Sequence, residues 1–432
     1  MPIKLSQKQL IIVGAGALLV IVVVALIFLN ARPKPNSAAA ITLKVWGTED
    51  AAAFGPIASA YPYATVKYTQ VDPANYQSQL LAALAAGAGP DVFEIGNRDL
   101  PKWLSVVAPM PAAYAQTFGP LQLAAAFPDV VAADFVSGSS TYGLPLSIDT
   151  LAMVYNKDIF NSAGIAIPPK TWDQFDGDIA QLRAENSSGQ ITQAAAAIGG
   201  SAASVPHAAD ILSLLMLQNG TQMTDDNHSL AQFAGAGGGP GQAAFNFYLQ
   251  FANAASPYYT WSDGLGNAFD SFVAGKTAIV FAYESDLATI KTKAPFLNIG
   301  IAPMPQPTGA TIVVNYPSYN GFVASKAGQS AAAWNFILYL TTSDAIETSY
   351  VAATGKPPAL RAEIAGDTND PNLSVFAAQA LTARSWYEAD DAQIQTIFSN
   401  AIANVLNGAD NSNDALSQAQ AAVSKLMYRS SQ

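Results

Sequence analysis

Residues 41–46, Ile41-Thr42-Leu43-Lys44-Val45-Trp46, alternate apolar and polar positions and predict a strand with one buried face. Val66-Lys67-Tyr68-Thr69-Gln70-Val71 predicts a second. Residues 76–86 read as a helix stopped by Gly87, the residue type that most readily takes the left-handed conformation at a helix end. Asp91-Val92-Phe93-Glu94-Ile95 reads as a buried strand that opens onto a polar tip, Gly96-Asn97-Arg98-Asp99. Strand, helix and strand in that order predict parallel pairing in an α/β body.

The run from Leu144 to Asp158 reads as a chain crossing from one body to another. Beyond it, residues 171–184 predict a helix capped by Thr171, with Asp173 near its positive end. Residues 208–218 and 242–255 read as core helices, separated by a glycine-rich loop at 235–241. That loop lacks the lysine and Ser/Thr of a phosphate-binding loop, and Gly275-Lys276-Thr277-Ala278 lacks the upstream glycine spacing of one. A turn into a buried strand at 277–281 explains the latter. Further strands are expected at 299–305 and 321–324, a helix at 331–340, and terminal helices near 393–406 and 413–427.

One segment differs from all of these. Leu10 to Leu29 is a twenty-residue uncharged stretch, long enough to cross a bilayer core of roughly 30 Å as a helix. It is expected to be a retained N-terminal anchor, followed by a tether at 32–40; a cleaved signal ending near Ala38-Ala39-Ala40 is the alternative. Either way the remainder is exported. The net charge is −11, and residues 1–36 hold Lys4, Lys8, Arg32, Lys34 and no acid. An acidic body of this kind is not expected to bind nucleic acid or anionic lipid.

The chain has no cysteine and two histidines, His207 and His228. Disulfides, thiolate chemistry and a lipid-modified cysteine are therefore excluded, and no metal site or cofactor is expected. The Gly-x-Ser-x-Gly nucleophile elbow is absent. A glycoside hydrolase needs only two suitably spaced carboxylates and stays open as the enzymatic alternative.

Planar polar groups and aromatics gather at the expected strand ends: Trp46, Glu49, Asp50, Asn97, Arg98, Asp99, Asp149, Tyr283, Glu284, Tyr319, Asn320 and Trp386. In open α/β sheets ligands collect at the carboxyl ends of strands. Carboxylate, amide and guanidinium groups match sugar hydroxyls, and aromatic rings match the apolar face of a sugar. Trp172 and Trp334 read as packing residues and Asp158 as a cap.

Seven motifs stand in a recognisable order: Ala86-Gly87-Ala88-Gly89-Pro90-Asp91-Val92, Tyr155-Asn156-Lys157-Asp158-Ile159-Phe160, Pro168-Pro169-Lys170-Thr171-Trp172, Phe272-Val273-Ala274-Gly275-Lys276-Thr277-Ala278, Ala302-Pro303-Met304-Pro305, Trp334 to Thr341, and Asn413 to Ala419. Over most of residues 41–425 the chain resembles the extracellular solute-binding proteins of ABC importers, of the sugar-binding kind. The resemblance implies a two-lobed α/β periplasmic-binding-protein-like fold with a hinge, here preceded by one N-terminal transmembrane helix. It implies a first lobe at 41–147 and 300–342 and a second at 148–299 and 343–432. It implies a monomeric, non-enzymatic binder that delivers an oligosaccharide to permease subunits and is held at the cell membrane with its body outside the cytoplasm. A polyamine or peptide ligand is the alternative on the same fold. The chain departs from the family where a Gly-x-Trp motif is usual: it reads Tyr283-Glu284-Ser285.

Overall fold

The computed structural model describes residues 41–235, 238–366 and 373–430. The expected anchor at Leu10–Leu29 and its tether lie outside these residues, as do 236–237 of the glycine-rich loop. Among the described residues no helix is long and apolar enough to cross a membrane. Leu43–Pro62 and Val66 onward form one compact unit, which holds all the residues of the candidate site below; residues 41–42 and Tyr63–Thr65 fall to a second.

In chain order the first lobe contributes β1 (Thr42–Gly47), β2 (Thr65–Gln70), β3 (Val92–Gly96) and β4 (Val107–Ala108). A small hairpin, β5 (Val136–Ser137) with β6 (Ser140–Thr141), leads to β7 (Gly143–Pro145). The chain then crosses at β8 (Asp149–Thr150) into β9 (Ala152–Asn156). The second lobe adds β10 (Ala184–Glu185), β11 (Ile191–Ala196), β12 (Thr277–Ala282) and β13 (Ile299–Ala302). The chain returns through β14 (Pro317–Ser318) to β15 (Asn320–Ser325).

The first sheet runs β2-β1-β3-β15-β4, with β7 also on β15. β1 and β3 are parallel, Val45 opposite Val92 and Trp46 opposite Phe93. β15 lies antiparallel to β3, which brings Asn320 opposite Gly96. Helices cover the sheet. Ala51–Ser59 starts at Asp50, whose Oδ1 accepts the Ala52 N–H at 3.1 Å, and stacks Phe54 on Phe322 with ring centroids 5.6 Å apart. Pro73–Ala85 starts at Asp72 and is followed by Gly87 at φ +67°, where a side chain would be strained.

The second sheet runs β10-β11-β12-β9-β13. All six residues of β12 are buried, as a strand covered on both faces requires. Trp172 packs edge-on to Phe175 and Phe247 beneath this sheet, a packing role as expected. Trp334 is fully buried in the first lobe, its indole N–H donating to the Ala108 carbonyl.

The lobes join at the two-stranded pair β8–β14, with Asp149 opposite Ser318 and Thr150 opposite Pro317. Gln379, on the helix Leu373–Ala380, braces the crossing: it donates to Thr150 Oγ1 and the Leu151 carbonyl and accepts the Met304 N–H.

Two boundaries differ from the expected division. Residues 300–302 belong to the second lobe, because β13 completes that sheet against β9. Residues 344–366 belong to the first. There the helix Asp344–Thr354 packs on Ala51–Ser59, and the Arg361 Nε donates to the Phe127 carbonyl at 2.7 Å. A crossing only two residues long leaves no compositional mark, so local pattern places it too early or too late.

Candidate functional site

Glu94 sits in the middle of β3, an acid inside an otherwise apolar run, and is 1% exposed. Its Oε2 accepts both the N–H and the hydroxyl of Thr48, at 2.9 and 3.0 Å. Parallel pairing of β1 with β3 places the loop after β1 beside it. Gly47 makes this approach feasible: a Cβ there would lie 2.9 Å from the Glu94 carboxyl carbon and 3.0 Å from the Tyr68 hydroxyl. Gly47→Ala should therefore displace the carboxylate and cost about 1–3 kcal/mol, read as a lowered thermal midpoint; an unchanged midpoint would show that the loop yields freely.

Burial first, then the neighbouring Glu49, pushes the Glu94 pKa up to about 7, against the Thr48 donors and Lys356. Glu49 is itself buried, and its Oε1 accepts Lys356 Nζ at 2.7 Å and the Tyr350 hydroxyl at 2.8 Å. Lys356 is held in place from beneath. Glu347, on the preceding helix, accepts the backbone N–H groups of Ala359 and Leu360, the latter at 2.8 Å, and burial raises its own pKa to about 8.

Asp149 occupies the hinge. Its Oδ1 accepts from the Thr150 and Glu284 N–H groups at 2.8 and 2.9 Å, and its Oδ2 from the Ser285 N–H at 3.1 Å. It thus ties the crossing strand to the start of the helix Glu284–Lys293, where peptide dipoles favour negative charge. Burial outweighs these donors and lifts its pKa to about 7.

Glu49, Glu94, Asp149, Ser285, Tyr319, Asn320, Tyr350 and Lys356 line a cavity of about 180 Å³. A second cavity of about 320 Å³ shares Glu94, Tyr319 and Asn320 and adds Tyr76, Asn97, Arg98, Asp99 and Asp391. Asn97 and the Tyr319 hydroxyl both donate to Asp134, at 2.9 and 2.7 Å. Asp99 is half open to the second cavity; burial and then Asp391 lift its pKa to about 6.

Arg98 reaches across the lobes. It donates to the Pro317 carbonyl at 3.0 Å and pairs with Asp391 at 3.1 Å and with Asp210 and Glu388 at 3.5 Å each. Its guanidinium carbon lies 5.1 Å from the centre of the Tyr316 ring. Burial pushes the Glu388 pKa well above the usual carboxylate range. Burial acts on Asp391 too, but Arg98 and neighbouring hydrogen bonds hold that carboxyl below it.

Eight of the twelve expected site residues thus line one or both cavities or donate directly into their walls: Glu49, Asn97, Arg98, Asp99, Asp149, Tyr319, Asn320 and, through its backbone, Glu284. Four do not. Trp46 is half-buried, lines neither cavity, and offers its carbonyl to Tyr76. Asp50 is spent as a helix cap. Tyr283 turns inward, its hydroxyl on Asp210 at 2.8 Å and its ring edge-on to His207, because the helix beginning at Glu284 fixes its direction. Trp386 packs against Phe233 and Phe398 in the second-lobe core. Conversely, Glu94, Tyr350 and Lys356 were not expected. The only advance sign was the carboxylate of Glu94 within a buried run.

The sequence profile of the bacterial extracellular solute-binding proteins matches residues 46–347. The chain belongs to that family. A protein of Brucella abortus (strain 2308), named only as a binding protein, is 32% identical over 108 residues, 24% of this chain; the match spans about a quarter of that relative's length. Among solved structures, the cyclic α-maltosyl-1,6-maltose binding protein from Arthrobacter globiformis superposes with a TM-score of 0.75 at 19% identity, over 90% of this chain and 100% of its own. The sugar-binding protein MalE from Xanthomonas citri gives 0.74 at 21%, over 90% and 98%. The shared fold is the two-lobed α/β architecture described above.

Proposed function

We propose that this protein captures a carbohydrate between its lobes and delivers it to an ABC importer, from a position outside the cytoplasm where Leu10–Leu29 anchors it. The observation that carries this reading is the lining of the two adjoining cavities. Carboxylates, amides and tyrosines from the first lobe meet hinge and second-lobe groups there, with Asp149, Ser285 and Asp391 on the far side. Such a lining offers paired hydrogen-bond partners for vicinal hydroxyls. Family membership and structural neighbours that are sugar-binding proteins support the same ligand class. Capture follows from geometry: a ligand that touches both lobes stabilises the arrangement in which they are close, so binding shifts the population toward closure. Release into the permease would be the reverse.

Thermal unfolding of the purified full-length chain in detergent, against a panel of mono- and oligosaccharides, tests this. A ligand at about 100 times its Kd adds roughly 2.7 kcal/mol of stability. A raised midpoint with one sugar class is expected; no shift with any sugar would overturn the assignment.

A further inference from the structure

The charges around the cleft do not balance. Glu49, Glu94 and Asp149 line the smaller cavity, and its lining contains one cation, Lys356. That ammonium is already engaged by Glu49 at 2.7 Å. Asp99 and Asp391 join Glu94 around the larger cavity, where the one lining cation, Arg98, is held by Asp391 and the Pro317 carbonyl. An anionic ligand would therefore meet carboxylates and no uncommitted positive charge. Glu94 is the opposite case. Both Thr48 donors reach Oε2, and among the described residues no hydrogen bond reaches Oε1, although the residue is almost fully buried and lines both cavities. The charged and titratable groups facing it are Glu49 beyond the end of β1, Lys356 just after the helix Asp344–Thr354, Tyr68 on β2 and Tyr76 on the helix Pro73–Ala85; Lys356 is the only cation among them. A carboxylate oxygen that lines a cavity and takes no protein donor is open to a ligand, and a charged donor is the partner that stabilises it best.

We infer that the cleft selects a sugar bearing an ammonium group, with the amine placed on Glu94 Oε1, and rejects sugars bearing a carboxylate. This rests on the carbohydrate reading above and narrows it. The raised pKa of Glu94 fits a group awaiting a counter-charge: an ammonium at hydrogen-bond distance would return it to the ionised form.

Calorimetric titration of the full chain with matched sets would test the inference. Each set holds a neutral sugar, its 2-amino-2-deoxy analogue and its uronic acid, as mono- and disaccharides, and putrescine is run alongside. The amino form should bind about tenfold or more tighter than the neutral parent, with the uronate weaker than both. Glu94→Gln keeps the Thr48 contacts within reach of its amide oxygen and should erase the preference for the amine. Should that variant fail to fold, the ranking of the three sugars by the unaltered protein still decides. Equal affinity for neutral and amino forms, or a tighter uronate, would overturn the inference and leave sugar capture standing. Binding of putrescine with no sugar of any set would retain Glu94 as an ammonium site and overturn the sugar part of both readings. Silence throughout would overturn both.

Discussion

Replacing Arg98 with methionine is expected to destabilise the protein by roughly 3–5 kcal/mol, far more than any exposed charge deletion. Methionine keeps much of the side chain's volume and removes its charge and donors. What remains is Asp210, Glu388 and Asp391, drawn together within 3.5 Å of one guanidinium. Breaking a buried pair by removing one partner costs more than the pair itself contributes, because the stranded charges stay desolvated. Arg98 belongs to the first lobe and the three acids to the second, so the cost falls on the contact between lobes. Urea unfolding should show a lowered midpoint, and small-angle scattering of the ligand-free variant a larger radius of gyration. Lys102→Ala is the control. Its 3.5 Å pair with Asp390 is partly exposed, and its loss should cost about 0–1 kcal/mol. A midpoint for Arg98→Met as close to the parent as that of Lys102→Ala would show that the lobes do not depend on this cluster.

Stability of the free protein should fall between pH 5 and pH 8, the reverse of the usual acid lability. Glu94 and Asp149 are pushed to about 7 and Glu347 to about 8, in each case by burial first. A carboxyl whose pKa is higher folded than unfolded binds more protons in the native state, so stability is fully present below the unfolded pKa and is lost as pH rises through the folded one. Glu94, moving from 4.5 to about 7, contributes at most roughly 3 kcal/mol to this slope at about 1.4 kcal/mol per unit. Urea midpoints taken at intervals from pH 5 to 8 would trace it. Glu94→Gln should flatten the profile by its share. Midpoints that rise steadily to pH 8 would mean that these carboxyls are ionised in the native state, with their donors outweighing burial.

Much of the plan was legible along the chain. The alternation at 41–46 and the run at 92–95 appear as β1 and β3, and the polar tip after β3 does line a cavity. Legibility failed where an element's environment decided. Tyr283 closes an apolar strand, as a ligand-stacking residue would, yet the helix that starts at Glu284 directs its ring to Asp210 and His207. Glu94 read as one position of a buried strand, since nothing in its own neighbours shows that Thr48 comes across from β1. Tyr350 and Lys356 reach Glu49 over 301 and 307 residues of chain.

By itself the sequence determined several of the strands and helices in their order, the α/β class, the family resemblance and the residue types at the strand tips. Each depends on periodicities of two or 3.6 residues, or on short motifs, that operate within one element. Only the tertiary structure decided which lobe owns 300–302 and 344–366, which tip residues face a cavity, and which acids share one cation. Those outcomes depend on register and crossing geometry between distant segments. A carboxylate at 2.7 Å from an ammonium and one left without a donor are indistinguishable until the chain has folded back on itself.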